Sequence, residues 1–267
     1  MKILFAIGLL LIAPVYVYCE MYQPVWEQCE SCSWEQCSNS TLQFGVNYSH
    51  VNITIPDQSS FEGDLGGIQA SYEYRPWDSI YGGLRVAWRE GNTENSSASR
   101  YLVYVDVQER LGYSFTLPCM DWALTIFSGF GYRYLGHKLE QSGESPINFE
   151  YNEFYIPVGF LSEYFLNSWL SIGLNFTWMP QVFPTVEIAP LKGARWIIKN
   201  SISNVLVEVP LIFFITQDQC YSLILKPFYE HWKDGHSTAK TSTGNALGLP
   251  SNTYNFWGAE LNFAFLF

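Results

Sequence analysis

The chain has 267 residues and a formal net charge of −11, and its aromatic fraction of 18% exceeds its charged fraction of 15%. Soluble domains carry about 25% charged residues, so this composition indicates that something other than water covers part of the surface. The acidic balance argues against a nucleic-acid partner, because phosphates are bound by basic faces. After the amino terminus no stretch reaches the about 18–20 apolar residues of a spanning helix, which leaves a closed β-barrel as the main membrane option.

The amino terminus has the pattern of an exported protein. Residues 1–19 resemble a secretory signal peptide, because Lys2 precedes an apolar core of the expected length. Cys19 is an alternative lipidation site, although the bulky residue before it disfavours that interpretation. We interpret residues 20–40 as a cysteine-rich periplasmic segment and residues 41–267 as an outer-membrane β-barrel.

The remainder of the chain alternates apolar and polar side chains in runs of about 10–15 residues, as tilted membrane strands require. The runs fall at residues 42–48, 68–75, 80–89, 101–115, 122–134, 153–163, 170–178, 205–215, 221–230 and 254–267. The sequence therefore predicts an all-β fold, a transmembrane antiparallel up-and-down β-barrel of about ten strands. Barrels of eight or twelve strands are the alternatives.

Two positions interrupt the alternation. Past His50 the apolar set shifts to Val51 and Ile53, which predicts a bulge or a turn there. Glu109 breaks the apolar face of the fourth strand, and a charge that faces lipid costs a few kcal/mol. We therefore expect either a local bulge at Glu109 or a position near the membrane interface.

Connection lengths test the barrel interpretation independently. The predicted periplasmic turns are residues 75–79, 116–121, 166–168 and 216–220, and the predicted external loops are residues 56–64, 90–99, 136–149, 180–201 and 233–253. Short turns at one end and long loops at the other are typical of outer-membrane barrels with both termini in the periplasm. A soluble sandwich, the alternative fold, has no reason to segregate its long loops in this way.

The last strand ends in an aromatic pattern, with Phe263, Phe265 and Phe267 at alternate positions. This pattern resembles the terminal strand of bacterial outer-membrane β-barrels. The resemblance implies that barrel assembly machinery recognises these residues as an assembly signal, and that outer-membrane lipid surrounds the folded chain. Closure requires this strand to pair with the first and ninth strands. Trp257 is then expected at the external interface and Phe267 at the periplasmic one.

The predicted inward positions carry charges of both signs. The predicted lumen charge network consists of Arg75, Arg85, Asp106, Arg110, Arg133, Glu153, Glu208, Lys226, Glu230 and Glu260, with Arg89, Glu73 and Glu163 also inward. In a narrow barrel such groups can satisfy one another and water, which fills the lumen. A selective solute path lined by the same groups is the alternative.

Five cysteines remain after removal of the predicted signal, and the topology gives all of them to one oxidising compartment. These disulfide candidates are Cys29, Cys32, Cys37, Cys119 and Cys220. An odd number favours intermolecular disulfides. This cysteine usage resembles the disulfide-cross-linked outer-membrane proteins of the chlamydial type, which implies other cysteine-rich envelope proteins as partners. The irregular spacing of the first three cysteines, with no histidine nearby, disfavours a metal site.

The sequence predicts no catalytic, metal or cofactor-binding residue. The strongest catalytic candidate is His236-Ser237 beside Asp234 in the last external loop, the residue types of a barrel hydrolase or lipid-modifying enzyme. Such residues in a polar loop are more often only solvated. The predicted function is therefore a structural or surface-interaction role, with disulfide links to other envelope proteins and with loops 180–201 and 233–253 as the largest variable surface. A narrow porin-like channel for small solutes is the alternative.

Overall fold

The computed structural model describes residues 39–56, 60–76, 78–96, 98–117, 121–140, 147–189, 195–216, 219–237 and 248–267. Within these ranges no helix is long and apolar enough to cross a membrane. The predicted signal peptide and four of the five disulfide candidates, Cys29, Cys32, Cys37 and Cys119, lie outside the described residues.

The described residues form fourteen strands in one antiparallel sheet. The strands are β1 (Ser40–Thr54), β2 (Phe61–Tyr74), β3 (Ile80–Glu94), β4 (Ser99–Leu117), β5 (Trp122–Glu140), β6 (Ile147–Tyr155), β7 (Val158–Asn167), β8 (Leu170–Trp178), β9 (Gln181–Ala189), β10 (Arg195–Ile197), β11 (Val205–Glu208), β12 (Leu211–Phe214), β13 (Tyr221–Asp234) and β14 (Asn252–Leu266). The sheet closes on itself because β1 pairs with both β2 and β14.

The fourteen strands make a barrel of ten, because three ring positions are each filled by two strands in succession and the short β10 adds no position of its own. Both β6 and β7 pair with β5, along successive halves of its length. Across from them, β9 pairs with β6 and β8 pairs with β7. Next around the ring, β11 and β12 lie together between β8 and β13, while the short β10 pairs with β9. The predicted all-β, antiparallel, ten-stranded closed barrel is confirmed.

A proline lies at each of the three strand breaks. Pro157 separates β6 from β7, Pro180 separates β8 from β9, and Pro210 separates β11 from β12. Proline has no N–H, so a ladder hydrogen bond is lost at each position. Proline carbonyls still accept: the Ile156 N–H donates to Pro180 over 3.1 Å, and the Gly173 N–H donates to Pro210 over 2.8 Å. The ring therefore stays closed across the interrupted wall.

The last strand shows how the two faces divide. Trp257 and Phe267 point outward and are about half exposed, whereas Glu260 and Asn262 point inward and have no exposed surface. Ten residues of strand span about 33 Å, or about 25 Å of height at a tilt of about 40°, the height of the apolar band of outer-membrane barrels. We call the end of the barrel at which Asn39 and Phe267 lie the terminal end, and the opposite one the loop end.

The strands at the loop end are longer than the sequence indicated. Both β4 and β5 have 19 residues, about twice the 9–11 that cross a membrane. The predicted external loops are correspondingly shorter. The expectation that residues 180–201 form a loop is wrong, because β9 and β10 lie in this range. On β1 the outward side chains change from apolar at Phe44 and Val46 to polar at Asn52 and Thr54. We call the part of the outward face that is apolar, toward the terminal end, the outer band; beyond it the outward face is polar.

The bulge expected after His50 is absent. The register of β1 with β2 continues without a shift from Tyr48 opposite Gly66 to Ile53 opposite Phe61. Val51 and Ile53 point inward and are fully buried. The prediction was wrong because the interior itself changes from polar to apolar along β1, which inverts the sequence pattern while the backbone stays regular.

The bulge expected at Glu109 is absent as well. Glu109 lies opposite Leu84 of β3 and Phe130 of β5, and the register of β4 is regular along both neighbours. Its side chain is exposed on the outward face. Glu109 therefore lies in the outward apolar face, and no irregularity of the backbone turns its side chain away from that face.

Candidate functional site: the barrel interior

A cavity of about 180 Å³ lies at the terminal end of the interior. Arg75 Nη1 contacts Glu163 over 3.1 Å, and Arg75 Nε donates to the Thr125 hydroxyl over 2.9 Å. Gln43 and Lys226 also line this space, and the buried Gln43 Oε1 has no hydrogen-bond partner among the described residues. The cavity thus carries charges of both signs, but it is smaller than the about 300–1,000 Å³ of most ligand pockets.

Above the cavity a buried ionic cluster crosses the lumen. Arg85 Nη2 lies 2.6 Å from Glu260 and 3.8 Å from Glu208, and Arg85 Nη1 lies 3.8 Å from Asp106. Lys226 Nζ lies 3.3 Å from Glu260 and 3.8 Å from Glu208. All five side chains are buried. The cluster places two cations among three carboxylates, so each desolvated charge has an opposite charge close by.

A second tier of ion pairs lies nearer the loop end. Arg89 Nη1 contacts Glu230 over 3.0 Å, and the Tyr104 hydroxyl donates to the same carboxylate over 2.7 Å. Arg133 Nη1 contacts Glu153 over 2.7 Å and Asp234 over 3.5 Å.

Aromatic rings cover the guanidinium groups of this tier. Arg89 lies 4.9 Å and Arg133 lies 5.3 Å from the centroid of the Tyr104 ring. Arg133 also lies 4.3 Å from the centroid of the Trp232 ring. Stacking of this kind stabilises a desolvated cation, most of all away from water. The second tier is therefore a packed core and not a solvated charge cluster.

An apolar cluster fills the interior at the loop end. Its buried members include Val51, Ile53, Phe61, Leu65, Leu102, Leu135, Tyr151, Val186, Ile188, Trp196, Ile198, Tyr254 and Phe256. His137 is buried beside it, and its Nε2 lies 3.2 Å from the Tyr254 hydroxyl. These side chains come from strands all around the ring. The cluster adjoins the second tier, because the Arg133 guanidinium lies 5.3 Å from the centroid of the Tyr254 ring.

The other predicted network residues lie inside the barrel, but not all join an ion pair. Arg110 is buried, its Nε donates to Gln108 Oε1, and its guanidinium lies 4.8 Å from the centroid of the Phe127 ring. Glu73 lines the terminal cavity, and no salt bridge of its carboxylate is seen among the described residues.

The predicted assembly signal and the one described cysteine both lie at the terminal end. Phe263, Phe265 and Phe267 point outward and are exposed. The Phe267 N–H donates to the Ser40 carbonyl over 2.9 Å, which joins the last residue to β1. Cys220 precedes β13, and its carbonyl accepts the Leu266 N–H over 2.8 Å.

The candidate catalytic residues do not form one group. Asp234, expected in an external loop, is the last residue of β13. Its carboxylate is buried and accepts from Trp232 Nε1 over 3.0 Å in addition to the Arg133 contact, while His236 is exposed. Ser237 forms an isolated bridge with Ile198. Among the described residues no three of His, Cys, Asp and Glu come together as a group that could hold a metal ion.

Sequence reasoning missed Asp234 and Gln181 as interior polar residues. Gln181 Nε2 donates to Glu153 over 2.9 Å, and its Oε1 accepts the Ser201 N–H over 2.8 Å. Both residues were assigned to loops because their strands extend beyond the apolar band. The period-two spacing of Asp234 with the inward residue Glu230 was the available signal.

Comparison with known proteins agrees with this architecture. Neither a protein-family model nor a curated protein sequence matches the chain. The solved structure of the outer membrane protease OmpT from Escherichia coli matches with a TM-score of 0.59 at 12% identity, over 87% of this chain and 98% of that chain. At this identity the likeness shows the fold alone.

Other solved barrels match less well. The translocator domain of the autotransporter NalP from Neisseria meningitidis has a TM-score of 0.46 at 12% identity, over 91% of this chain and 94% of that chain. The attachment invasion locus protein Ail of Yersinia pestis has a TM-score of 0.37 at 9% identity, over 85% of this chain and 99% of that chain. The chain has the fold of a bacterial outer-membrane β-barrel, in this case a ten-stranded one with a packed interior.

Proposed function

We propose that the chain is a bacterial outer-membrane barrel with a closed lumen and a structural or surface-interaction role. The terminal end faces the periplasm, and the periplasmic cysteines link the barrel to other cysteine-rich envelope proteins. The observation that carries the proposal is the filled interior. Two ionic tiers and an apolar cluster lie in series between the terminal cavity and the loop end.

The apolar cluster is the strongest support for closure. A solute that crossed the lumen would have to pass the fully buried side chains of Val51, Leu65, Leu102 and Leu135. Close-packed interiors leave few voids larger than a water molecule. A polar solute would also lose hydration against these aliphatic side chains, which offer no hydrogen bonds.

The second candidate function is a narrow channel for small solutes. The terminal cavity favours it, because Arg75, Glu73, Glu163 and Lys226 offer charges of both signs at its wall. Under this alternative the cavity is the entrance of a path that continues along Arg85.

Planar-bilayer conductance separates the two candidates. The closed barrel predicts no stable current steps from folded, inserted protein. Steps of well-defined size would contradict closure, and a change in their ion selectivity on Arg85→Ala would support the channel. Unheated electrophoresis, in which folded barrels migrate differently from heated ones, establishes that each sample is folded.

The surface-interaction role places binding at the loop end. Deletion of residues 238–247, in the connection between β13 and β14, removes chain that no ladder hydrogen bond of the described strands requires. The expected result is loss of binding to host cells or purified ligand with an unchanged heat-dependent band shift. Full binding by the deleted protein would argue against a role for this connection.

The disulfide links have a separate test. The envelope is extracted with its thiols blocked and analysed by non-reducing electrophoresis. We expect oligomers that are converted to monomer when reductant is added. A Cys220→Ser variant then shows whether the cysteine before β13 contributes. Monomer alone in the non-reducing lane would remove the cross-linking part of the proposal.

A further inference from the structure

Glu109 is a carboxylate on the outward apolar face of the barrel. Its neighbours along β4 are Val107 and Leu111, and the residues opposite it are Leu84 and Phe130. All four neighbours are apolar. Among the described residues the Glu109 side chain forms no ion pair and no hydrogen bond, and it is exposed.

The exposed side chain of Glu109 lies far from both ends of the outward apolar face. This inference rests on the proposed membrane location. Tyr113 lies four residues away toward the terminal end, and Tyr101 lies eight residues away toward the loop end. At about 3.3 Å per residue and a tilt of about 40°, these separations are about 10 and 20 Å of height. Glu109 therefore lies within the hydrocarbon region, where lipid offers no hydrogen-bond partner.

Among the described residues no lysine or arginine lies near Glu109 on this face. The exposed basic residues of the described chain, Lys138, Arg195, Lys199 and Lys233, lie in or beyond the loop-end parts of the strands. The remaining lysine and arginine side chains of the described residues point into the interior. His50 and His231 point outward near the loop end, where they contact Asp64 and Asn255. A partner for Glu109 must therefore come from outside this chain.

A second copy of the chain supplies a partner without a cation. A protonated carboxyl group is both a donor and an acceptor, so two carboxyl groups can satisfy each other. Copies inserted in the same orientation are related by a twofold axis along the membrane normal. Each residue near that axis then meets its own counterpart at the same depth, and this symmetry places Glu109 opposite Glu109.

The surface around Glu109 permits close approach. Gly82 of β3 and Ser128 of β5 lie opposite Leu111 on its two sides. A Cβ at Gly82 would have nothing within 4 Å, and Ser128 is exposed. Leu111 is therefore a ridge between two shallow grooves. Transmembrane helices approach one another closely at small residues, and the small size of Gly82 and Ser128 permits a close approach here.

We propose that the outward wall of β3, β4 and β5 is the interface of a homodimer in the membrane, with Glu109 of one copy hydrogen-bonded to Glu109 of the other. Leu111 of each copy packs beside Gly82 or Ser128 of its partner. The dimer is independent of disulfides, because the interface lies in the hydrocarbon region and not at the terminal end.

Sedimentation equilibrium in neutral detergent, with reductant present, tests the proposal. The wild-type chain is expected to be dimeric, and Glu109→Gln is expected to remain so because an amide also donates and accepts. Glu109→Leu is expected to weaken association at least tenfold while the heat-dependent band shift persists. The matched control Leu261→Ala, on the outward face of β14, is expected to dimerise as the wild type does.

Cross-linking locates the interface. Oxidation of a Glu109→Cys variant in membranes is expected to give a covalent dimer above the wild-type background, whereas Leu261→Cys is expected to give none. Equal association of Glu109→Leu and wild type, or monomers in both, would overturn the homodimer. The band shift reports insertion separately, so failure of the dimer is distinguishable from failure of the proposed membrane location.

Discussion

Arg133 offers the sharpest test of the packed interior. Its side chain is fully buried, and it faces two buried carboxylates, Glu153 over 2.7 Å and Asp234 over 3.5 Å. Replacement by methionine keeps most of the volume but leaves both carboxylates without their cation. Removal of one partner from a buried ion pair costs about 3–5 kcal/mol. We therefore expect Arg133→Met to lower the free energy of unfolding by about that amount.

The matched control is an ion pair of the same type on the surface. Arg195 Nε contacts Glu187 over 2.7 Å, and both side chains are exposed. Exposed pairs contribute about 0–1 kcal/mol, so Arg195→Met is expected to lie within that range. Urea unfolding of the refolded protein in detergent, followed by the heat-dependent band shift and by tryptophan fluorescence, measures both variants under the same conditions.

A triple variant isolates the electrostatic cause. Neutralising the two carboxylates as Glu153→Gln and Asp234→Asn in the Arg133→Met background removes the unpaired charges. The loss is then expected to fall by at least about 1.5 kcal/mol, because an uncompensated buried charge dominates the single variant. If Arg133→Met cost no more than Arg195→Met, or if the triple variant were as unstable as the single one, the interior ion pair would not stabilise the barrel as argued.

Four further variants probe closure and packing. Gly45→Val is expected to destabilise the barrel by about 1–3 kcal/mol, because a Cβ at this position overlaps β14. In the control Gly66→Ala the added Cβ has no atom within 4 Å, so the unfolding midpoint should be unchanged or slightly raised. Deletion of Phe267 is expected to reduce the yield of inserted protein before it changes any activity, and unchanged insertion would count against the assembly signal. Tyr104→Phe removes the donor to the Glu230 carboxylate and should cost about 1.5–3 kcal/mol in the same urea assay.

The strands within the outer band could be predicted because their alternate residues are apolar on the outward face and polar on the inward face. Phe44 and Val46 are exposed in the structure while Gln43 and Asn47 are buried, as the pattern in β1 indicates. Beyond the outer band this pattern reverses. Ile53 is buried in the interior and the outward face is polar. The sequence pattern therefore shifts by one residue although the strand itself is regular.

The pairing of the interior charges could not be predicted from the sequence. Alternation assigns Arg85 and Glu260 to the inward side, but they are 175 residues apart and meet across the lumen. Their contact depends on ring closure and on the register of every strand between them. Glu109 illustrates the opposite limit, since the sequence identified an irregular position and the regular register of β4 excludes the expected bulge there.

The prolines at the three strand breaks give the barrel a mechanical asymmetry. Pro157, Pro180 and Pro210 divide consecutive strands of one wall into short ladders, while β4 and β5 pair without interruption over 19 residues. Local opening requires fewer hydrogen bonds to break where ladders are short. We therefore expect backbone fluctuations to be larger in the wall from β6 to β12, and the continuous strands on the other side to hold the shape of the barrel.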